Sequence, residues 1–298
     1  YAPTTTTAVY MPRRNAYVYD GSSWVNAGVQ IESAAATNLL LNSGNIEAQT
    51  VSVTPGSTYT VSFDRAAAVA ELSEAIASTA VDVFVYDTTK DSDGGAWRTG
   101  ALAQASSWYN ETLNTATRGS RQEFPEVAVI VAEADKVTIY DGDDASLPMW
   151  MVFTGNTSNM LWSISDCSLA MENGLLVTGQ STDVWTADFV RDLGTEIAAA
   201  GQKNYLGNIS QRDSSLGRDS VFSGPGIINR VVNDVAMTVL SDAPTDPATG
   251  LPVPTIAVAT DGGVSVIKDD GTVVDITGVV IGYINIIGET LFTSATYS

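Results

Sequence analysis

Three times along this chain an apolar run meets a tight polar turn and a second, alternating run follows. Val127 to Val131 leads to Val137-Thr138-Ile139-Tyr140-Asp141. Gly174-Leu175-Leu176-Val177 leads to Val184-Trp185-Thr186-Ala187-Asp188. Thr255 to Ala259 leads through Asp261-Gly262-Gly263 to Val264-Ser265-Val266-Ile267. Val81-Asp82-Val83-Phe84-Val85-Tyr86-Asp87 is a further apolar run ahead of these. β-Branched residues with period-two alternation, bounded by Gly, Asp and Ser, mark strands. A strand pair cannot bury a core alone, so repeated pairs must stack or close radially. The expected fold class is therefore all-β, with a β-propeller-like domain, complete or partial, over residues 80–298. The phrases start 48 and 80 residues apart. The first gap suits one blade, and the second a blade with inserted loops or two short blades. A two-sheet sandwich uses the same hairpins and stands as the alternative.

The N-terminal residues 1–65 read as a short β region of their own. Tyr17-Val18-Tyr19 faces Trp24-Val25 across Asp20-Gly21-Ser22-Ser23, a hairpin pattern. Thr50 to Thr54 and Thr58 to Phe63 alternate around Pro55-Gly56, a second one. Residues 66–79 break the pattern. Val69, Leu72 and Ile76 have helical spacing in an Ala-rich stretch, so this piece reads as a linker or a short amphipathic helix. Two polar stretches interrupt the later strands: Gly201 to Gly226, with three basic residues, and Ser241 to Pro254, with four prolines. Loops of this kind vary without harming a β core, so they are where partner contact or disorder is expected.

Composition removes whole classes of chemistry. The chain holds 298 residues and no histidine. That excludes Ser-His-Asp and Cys-His arrangements and His-ligated zinc. One cysteine, Cys167, excludes an internal disulfide and a Cys-based zinc cluster, and a buried, inert thiol is expected. Fourteen basic against thirty-four acidic residues give a net charge of −20. Nucleic acid and anionic membrane surfaces are disfavoured as partners, because both need Lys and Arg. No apolar run reaches the roughly 18 residues of a membrane-spanning helix. The first residue is Tyr1, and the chain reads as a piece of a longer polypeptide.

Several residues are candidates for a site. Asp91 and Asp93 precede Gly94-Gly95, and Asp141 and Asp143 lie in a DGDD run. The Asp91–Gly95 run resembles half a calcium loop without a glutamate at the twelfth position, and Asp141 with Asp143 is a second candidate calcium pair, so calcium is the candidate cofactor; turn chemistry explains both. Trp97, Trp108, Tyr109 and Tyr205 fall in or near loops, where an aromatic face can stack on a sugar ring. Packing inside the fold is the competing reading for each. Trp150, Trp162 and Trp185 sit in strand patterns and are expected in the core. Asn110, Asn156 and Asn208 match the N-glycosylation pattern, which matters only in a eukaryotic secreted protein. No pair of acids stands out as a hydrolytic couple.

Scaffold phrases carry a resemblance. VYDGSSWVNAG at Val18 to Gly28 is similar to a short hairpin of bacteriophage virion proteins. The segment from Ile31 to Phe63, with TNLLLNS followed by VSVTPGSTYTVSF, resembles the start of jelly-roll modules in phage tail and fibre proteins. Val81 to Arg98, Ser107 to Phe153 and Leu251 to Ile276 resemble a propeller-type region of large phage structural proteins. The resemblance implies a non-enzymatic virion structural protein: a tail-fibre or spike subunit, or a head decoration, contributing to host attachment. It implies other virion proteins and a host-surface glycan as partners, a homo-oligomer with a trimer favoured, and a place on the virion surface. It carries over no catalytic residue. One departure is that the Ala-rich segment follows TYTVSF almost at once, where a full jelly roll would continue. The runner-up readings are a polysaccharide depolymerase on a propeller scaffold and a secreted bacterial adhesin.

Overall fold

A computed structural model describes residues 12–13, 16–19, 24–26, 30–31, 61–62 and 79–295, except 145, 162–166, 279 and 288. The chain divides into two compact units, Tyr1–Ala77 and Ser78–Ser298. In the first unit, β1 (Pro12–Arg13) pairs with β4 (Gln30–Ile31). Strand β2 (Ala16–Tyr19) pairs with β3 (Trp24–Asn26), setting Val18 opposite Val25, as the hairpin pattern requires. Its other edge takes β5 (Val61–Ser62). The rest of the Thr50–Phe63 hairpin, the helix expected at residues 66–79 apart from Thr79, the jelly-roll expectation and Trp162 lie outside the described residues.

The second unit is all-β, in four antiparallel sheets that follow the chain in order. Sheet A is β6 (Ala80–Asp87), β7 (Val127–Glu133), β8 (Lys136–Asp141) and β9 (Met149–Thr154). Sheet B is β10 (Ser168–Glu172), β11 (Leu175–Gln180), β12 (Asp183–Asp188), β13 (Leu193–Ala198) and β14 (Gly201–Asn204). Sheet C is β15 (Val232–Thr238), β16 (Thr255–Thr260), β17 (Gly263–Ile267) and β18 (Val273–Thr277). Sheet D is the hairpin β19 (Ile281–Ile287) and β20 (Thr290–Ala295). Each sheet is a meander, so every strand pairs with its neighbours in sequence.

The three sequence phrases are β7–β8, β11–β12 and β16–β17, the second and third strands of sheets A, B and C. Their apolar continuity follows from position. A central strand is covered on both faces and needs no polar alternation. Strand β16 is buried at all six residues, whereas the edge strand β18 is mostly exposed. The sheets stack through successive cores. Between A and B lie Tyr86, Ile130, Ile139, Phe153, Leu169, Leu176 and Trp185, with an aromatic cluster among them. Between B and C lie Val177, Val184, Ile197, Val235, Ile256 and Val258. Between C and D lie Ala257, Ala259, Val264, Ile281 and Ile284. The first strands are neighbours: β6 packs against β10, β10 against β15, and β15 against β19.

Two first strands share a device. β6 and β15 each carry a register shift near the start, at Ala80/Asp82 and Val232/Asp234. A bulge leaves backbone groups unpaired, and here an aspartate takes them. Asp82 accepts from the N–H of Val83 at 2.8 Å and, across the sheets, from Leu169 at 2.8 Å. Asp234 accepts from Val235 at 2.9 Å and from Ile284 of the next sheet at 2.9 Å. Burial pushes both carboxyls above their ordinary pKa, and the charge of Asp82 adds to the push on Asp234.

Candidate functional site

The long connections are the natural place for a site, and they prove to be anchored from within. Residues 88–126, between β6 and β7, fold back over one end of sheets A and B. Trp97 sits in a short 3-10 turn, Ala96–Arg98, and Trp108 follows helix α1 (Ala101–Ala105). Both rings are buried. Trp97 lies 5.1 Å from Phe124, and Trp108 lies 5.8 Å from both Trp150 and Phe189. The Trp97 Nε1 donates to Asp91 at 2.7 Å, and the Trp108 Nε1 donates to the Phe189 carbonyl at 2.7 Å. Tyr205 is also buried, its hydroxyl donating to the Gln211 carbonyl at 2.7 Å. The sugar-stacking expectation for Trp97, Trp108 and Tyr205 is therefore corrected: their faces are spent on the core and have none to offer a glycan. Tyr109 is half-buried against Trp108 at 5.7 Å. Trp150 and Trp185 are in the core, as their strand positions require.

The aspartates are committed to protein donors. Asp91 is buried and accepts from the Tyr86 hydroxyl at 2.5 Å, from Trp97 Nε1 and from the Asn173 N–H at 3.0 Å. Gly174 N–H completes the network on the Tyr86 oxygen at 2.9 Å. Burial raises the Asp91 pKa, against these hydrogen bonds. Asp93 caps the turn, accepting from the N–H groups of Gly95 and Trp97 at 2.9 and 2.8 Å. Arg121 stands between Asp141 and Asp143, with its Nη1 at 2.8 and 2.5 Å from them. Asp143 also accepts from Glu126 and Val127, and these bonds hold its pKa low although burial pushes it up. The Arg121 guanidinium pairs with both carboxylates there. Among the described residues no group of three or more acidic or cysteine side chains is arranged for a metal.

The Gly201–Gly226 connection differs from the exposed polar loop its composition suggests. Arg212 is buried and donates to the carbonyls of Val152, Ile209 and Thr117 and to the Glu111 carboxylate. Arg218 lies 3.9 Å over the Trp185 ring, donates to the carbonyls of Thr157, Asn159 and Met160, and pairs with Glu196. Two of the three basic residues are thus internal ties. What the loop shows to solvent is apolar as well as polar: Leu206, Leu216 and Val221 are exposed. Arg118, in the 88–126 connection, is a third buried tie, 4.3 Å over Trp150 and donating to the carbonyls of Arg121, Gln122 and Trp150. Burial pulls its pKa down to about 10, which leaves it charged at neutral pH.

A small cleft opens where the turn after β10, the end of β12 and the 241–254 loop converge. Asn173, Leu175, Asp188, Arg191, Asp246 and Leu251 line it, with about 50 Å³ of space. A space of that size has room for ordered water. Arg191 donates to Asp246 at 2.6 Å across its mouth, and Asn173 Nδ2 ties the loop by donating to the Pro252 carbonyl at 2.9 Å. Beside it, Glu172 ends β10 opposite Leu175. Burial, with the Asp91 charge behind it, pushes the Glu172 carboxyl up to about 7. Glu172 has no hydrogen-bond or ion-pair partner among the described residues. Cys167 is buried and burial raises its pKa, so its thiol stays protonated and unreactive. Sequence reading passes over Glu172 because nothing in Met-Glu-Asn announces burial. It passes over Asp82 and Asp234 too, although each stands near the start of its sheet's first strand. No protein-family model matches the chain, and no curated protein matches it.

Proposed function

We propose that this chain is a non-enzymatic structural subunit of a bacteriophage virion, a fibre, spike or head decoration that contributes to host-surface contact. The observation that carries the reading is the way its long connections are built. Residues 88–126 and 201–226 are pinned to the sheets by buried Trp and Arg side chains, which makes rigid loops on a rigid β stack. Rigid loops suit recognition, since little entropy is lost on binding. The virion phrases in the sequence support the same reading. On it, the successive meanders are blades of a propeller-like arrangement, the first strands lying innermost. Exposed Leu206, Leu216 and Val221 are then the contact residues of the 201–226 loop, in place of the buried aromatics.

The test is immunogold labelling of particles from the native source with an antibody to this chain. Label at the tail tip is the expected result for a fibre or spike, and label over the head assigns decoration. Absence of particle-bound label overturns the reading and favours a cell-surface adhesin.

One observation favours a second reading, a polysaccharide depolymerase. Burial pushes the Glu172 carboxyl up to about 7 beside a small cleft, and a carboxylic acid still protonated near neutral pH is what a general acid in glycoside cleavage requires. A reducing-sugar or unsaturated-product assay on host glycan, lost in Glu172→Gln, supports it. No turnover removes it.

A further inference from the structure

The last strands of sheets A and B, β9 and β14, are covered along their outer edges by the chain's own connections. Arg118 of the 88–126 connection pairs with Met151 of β9, and Ser223 of the 201–226 connection pairs with Gln202 of β14. The two connections meet on this rim. The Ser210 N–H donates to the Ser107 hydroxyl at 3.1 Å, and Arg212 donates to the Thr117 carbonyl at 2.8 Å. The turn after β9 joins them, its Met160 N–H donating to the Arg212 carbonyl at 2.8 Å.

Over residues 99–120, 154–160 and 201–226, every exposed residue is uncharged. The chain as a whole has a net charge of −20, and exposed acids such as Asp93, Asp135, Asp144, Asp261 and Asp270 lie outside these stretches. The charged residues within them are engaged by the protein. Glu111 meets the buried Arg212 at 2.9 Å, Lys203 lies 4.1 Å over the Phe222 ring, and Arg218 pairs with Glu196. Asp213 accepts from the Thr154 N–H at 2.8 Å, and Asp219 accepts from the Asn204 N–H at 3.2 Å. What the rim shows to solvent is amide, hydroxyl and aliphatic: Gln104, Asn110, Asn156 and Gln211 together with Leu206 and Leu216.

Charge sorts the partners such a rim can take. An anionic polymer needs Lys and Arg at the surface, and the rim turns its own inward. A cationic partner is drawn to the exposed acids elsewhere. A neutral partner covers the rim at the least desolvation cost, since no charged group there loses water. Side-chain amides both donate and accept, which matches sugar hydroxyls. We propose that the outer rim of sheets A and B binds a neutral polysaccharide, its hydroxyls on the rim amides and its C–H faces over Leu206 and Leu216. The proposal rests on the host-contact reading above and gives that contact its ligand class.

The experiment is biolayer interferometry of the full chain on immobilised dextran, mannan and galactomannan, with alginate and hyaluronate as anionic counterparts. The expected result is retention on at least one neutral polymer, unchanged between about 0.02 M and about 0.5 M NaCl because no ion pair is there to be screened. Leu206→Glu and Leu216→Glu each weaken that retention about tenfold with unchanged melting curves. Ile276→Glu, which adds the same charge at an exposed residue of β18, leaves it unchanged. Retention on the anionic polymers alone, on none of the polymers, or with equal strength in the rim variants overturns the proposal. So does a sedimentation mass that rises with concentration and falls back in the rim variants while no polymer is retained, which assigns the rim to a second copy. Particle labelling without neutral-glycan retention removes this ligand class alone, and retention without particle labelling removes the virion reading alone.

Discussion

Glu172 carries a carboxyl whose charge changes close to neutral pH. Its pKa rises from 4.5 to about 7 on folding. A carboxyl with a raised folded pKa is best accommodated below its unfolded value, and that advantage is lost as pH rises through the folded one. Wild-type stability should therefore fall between pH 5 and pH 8, and Glu172→Gln should flatten that slope. The variant should be more stable at pH 8 by on the order of 2 kcal/mol, discounted for the partial exposure of the group, as read by urea titration at each pH. Trp108 tests the other extreme. It is fully buried, with its indole N–H satisfied. Trp108→Ala should cost about 3–5 kcal/mol by cavity formation and a lost donor. Individual site residues were the least legible part of the sequence. Trp97 and Trp108 occur among Gly, Ser and Asp, which reads as surface, but the chain there turns inward and the rings enter the core. Asp141 and Asp143 read as cation ligands because the arginine that meets them is twenty residues away.

Central strands were legible as elements because double-sided burial demands continuous apolar residues, as in β7 and β16. First strands were harder. Ser-Leu-Ala-Met-Glu of β10 is too short and mixed to announce itself, and the registers of β6 and β15 depend on bulges that no periodicity reveals. The Asn173-Gly174 turn between β10 and β11 went unread, because Gly174 stands at the head of an apolar run in the sequence; both residues have positive φ, 47° and 76°. A methyl at Gly174 would stand 2.7 Å from Val190 and 3.2 Å from the Trp97 ring. Gly174→Ala should therefore cost more than the ~1–2 kcal/mol of left-handed strain alone, measured by chemical denaturation. The aspartate ties between first strands make a separate prediction. Asp82→Ala leaves the N–H groups of Val83 and Leu169 without their acceptor, at about 1–3 kcal/mol. Faster amide exchange at Leu169, with β7–β8 unchanged, is the expected signature. Asp82→Asn should retain one of the two bonds and lose less.

At the scale of the molecule, the chain divides into two compact units at Ala77 and Ser78, and the all-β class was readable. The number of sheets was not, because the spacing of the phrases mixes strand with insertion: 88–126 lies inside sheet A, and 239–254 inside sheet C. A chain of residues 78–298 should fold alone and keep the near-ultraviolet circular dichroism of its buried tryptophans, since the aromatic core lies wholly within it. Pairing of each strand only with its neighbours in sequence has a further consequence, in time rather than in space. As the chain leaves the ribosome, sheet A can close before any of sheet C has been made, and each finished sheet offers a face to the next. Short sequence separation within sheet B favours fast pairing there, whereas β6 must wait for β7 beyond residues 88–126. Nascent chains arrested after Thr154, after Asn204 and after Thr277 should accordingly gain protease resistance in steps, one sheet at a time.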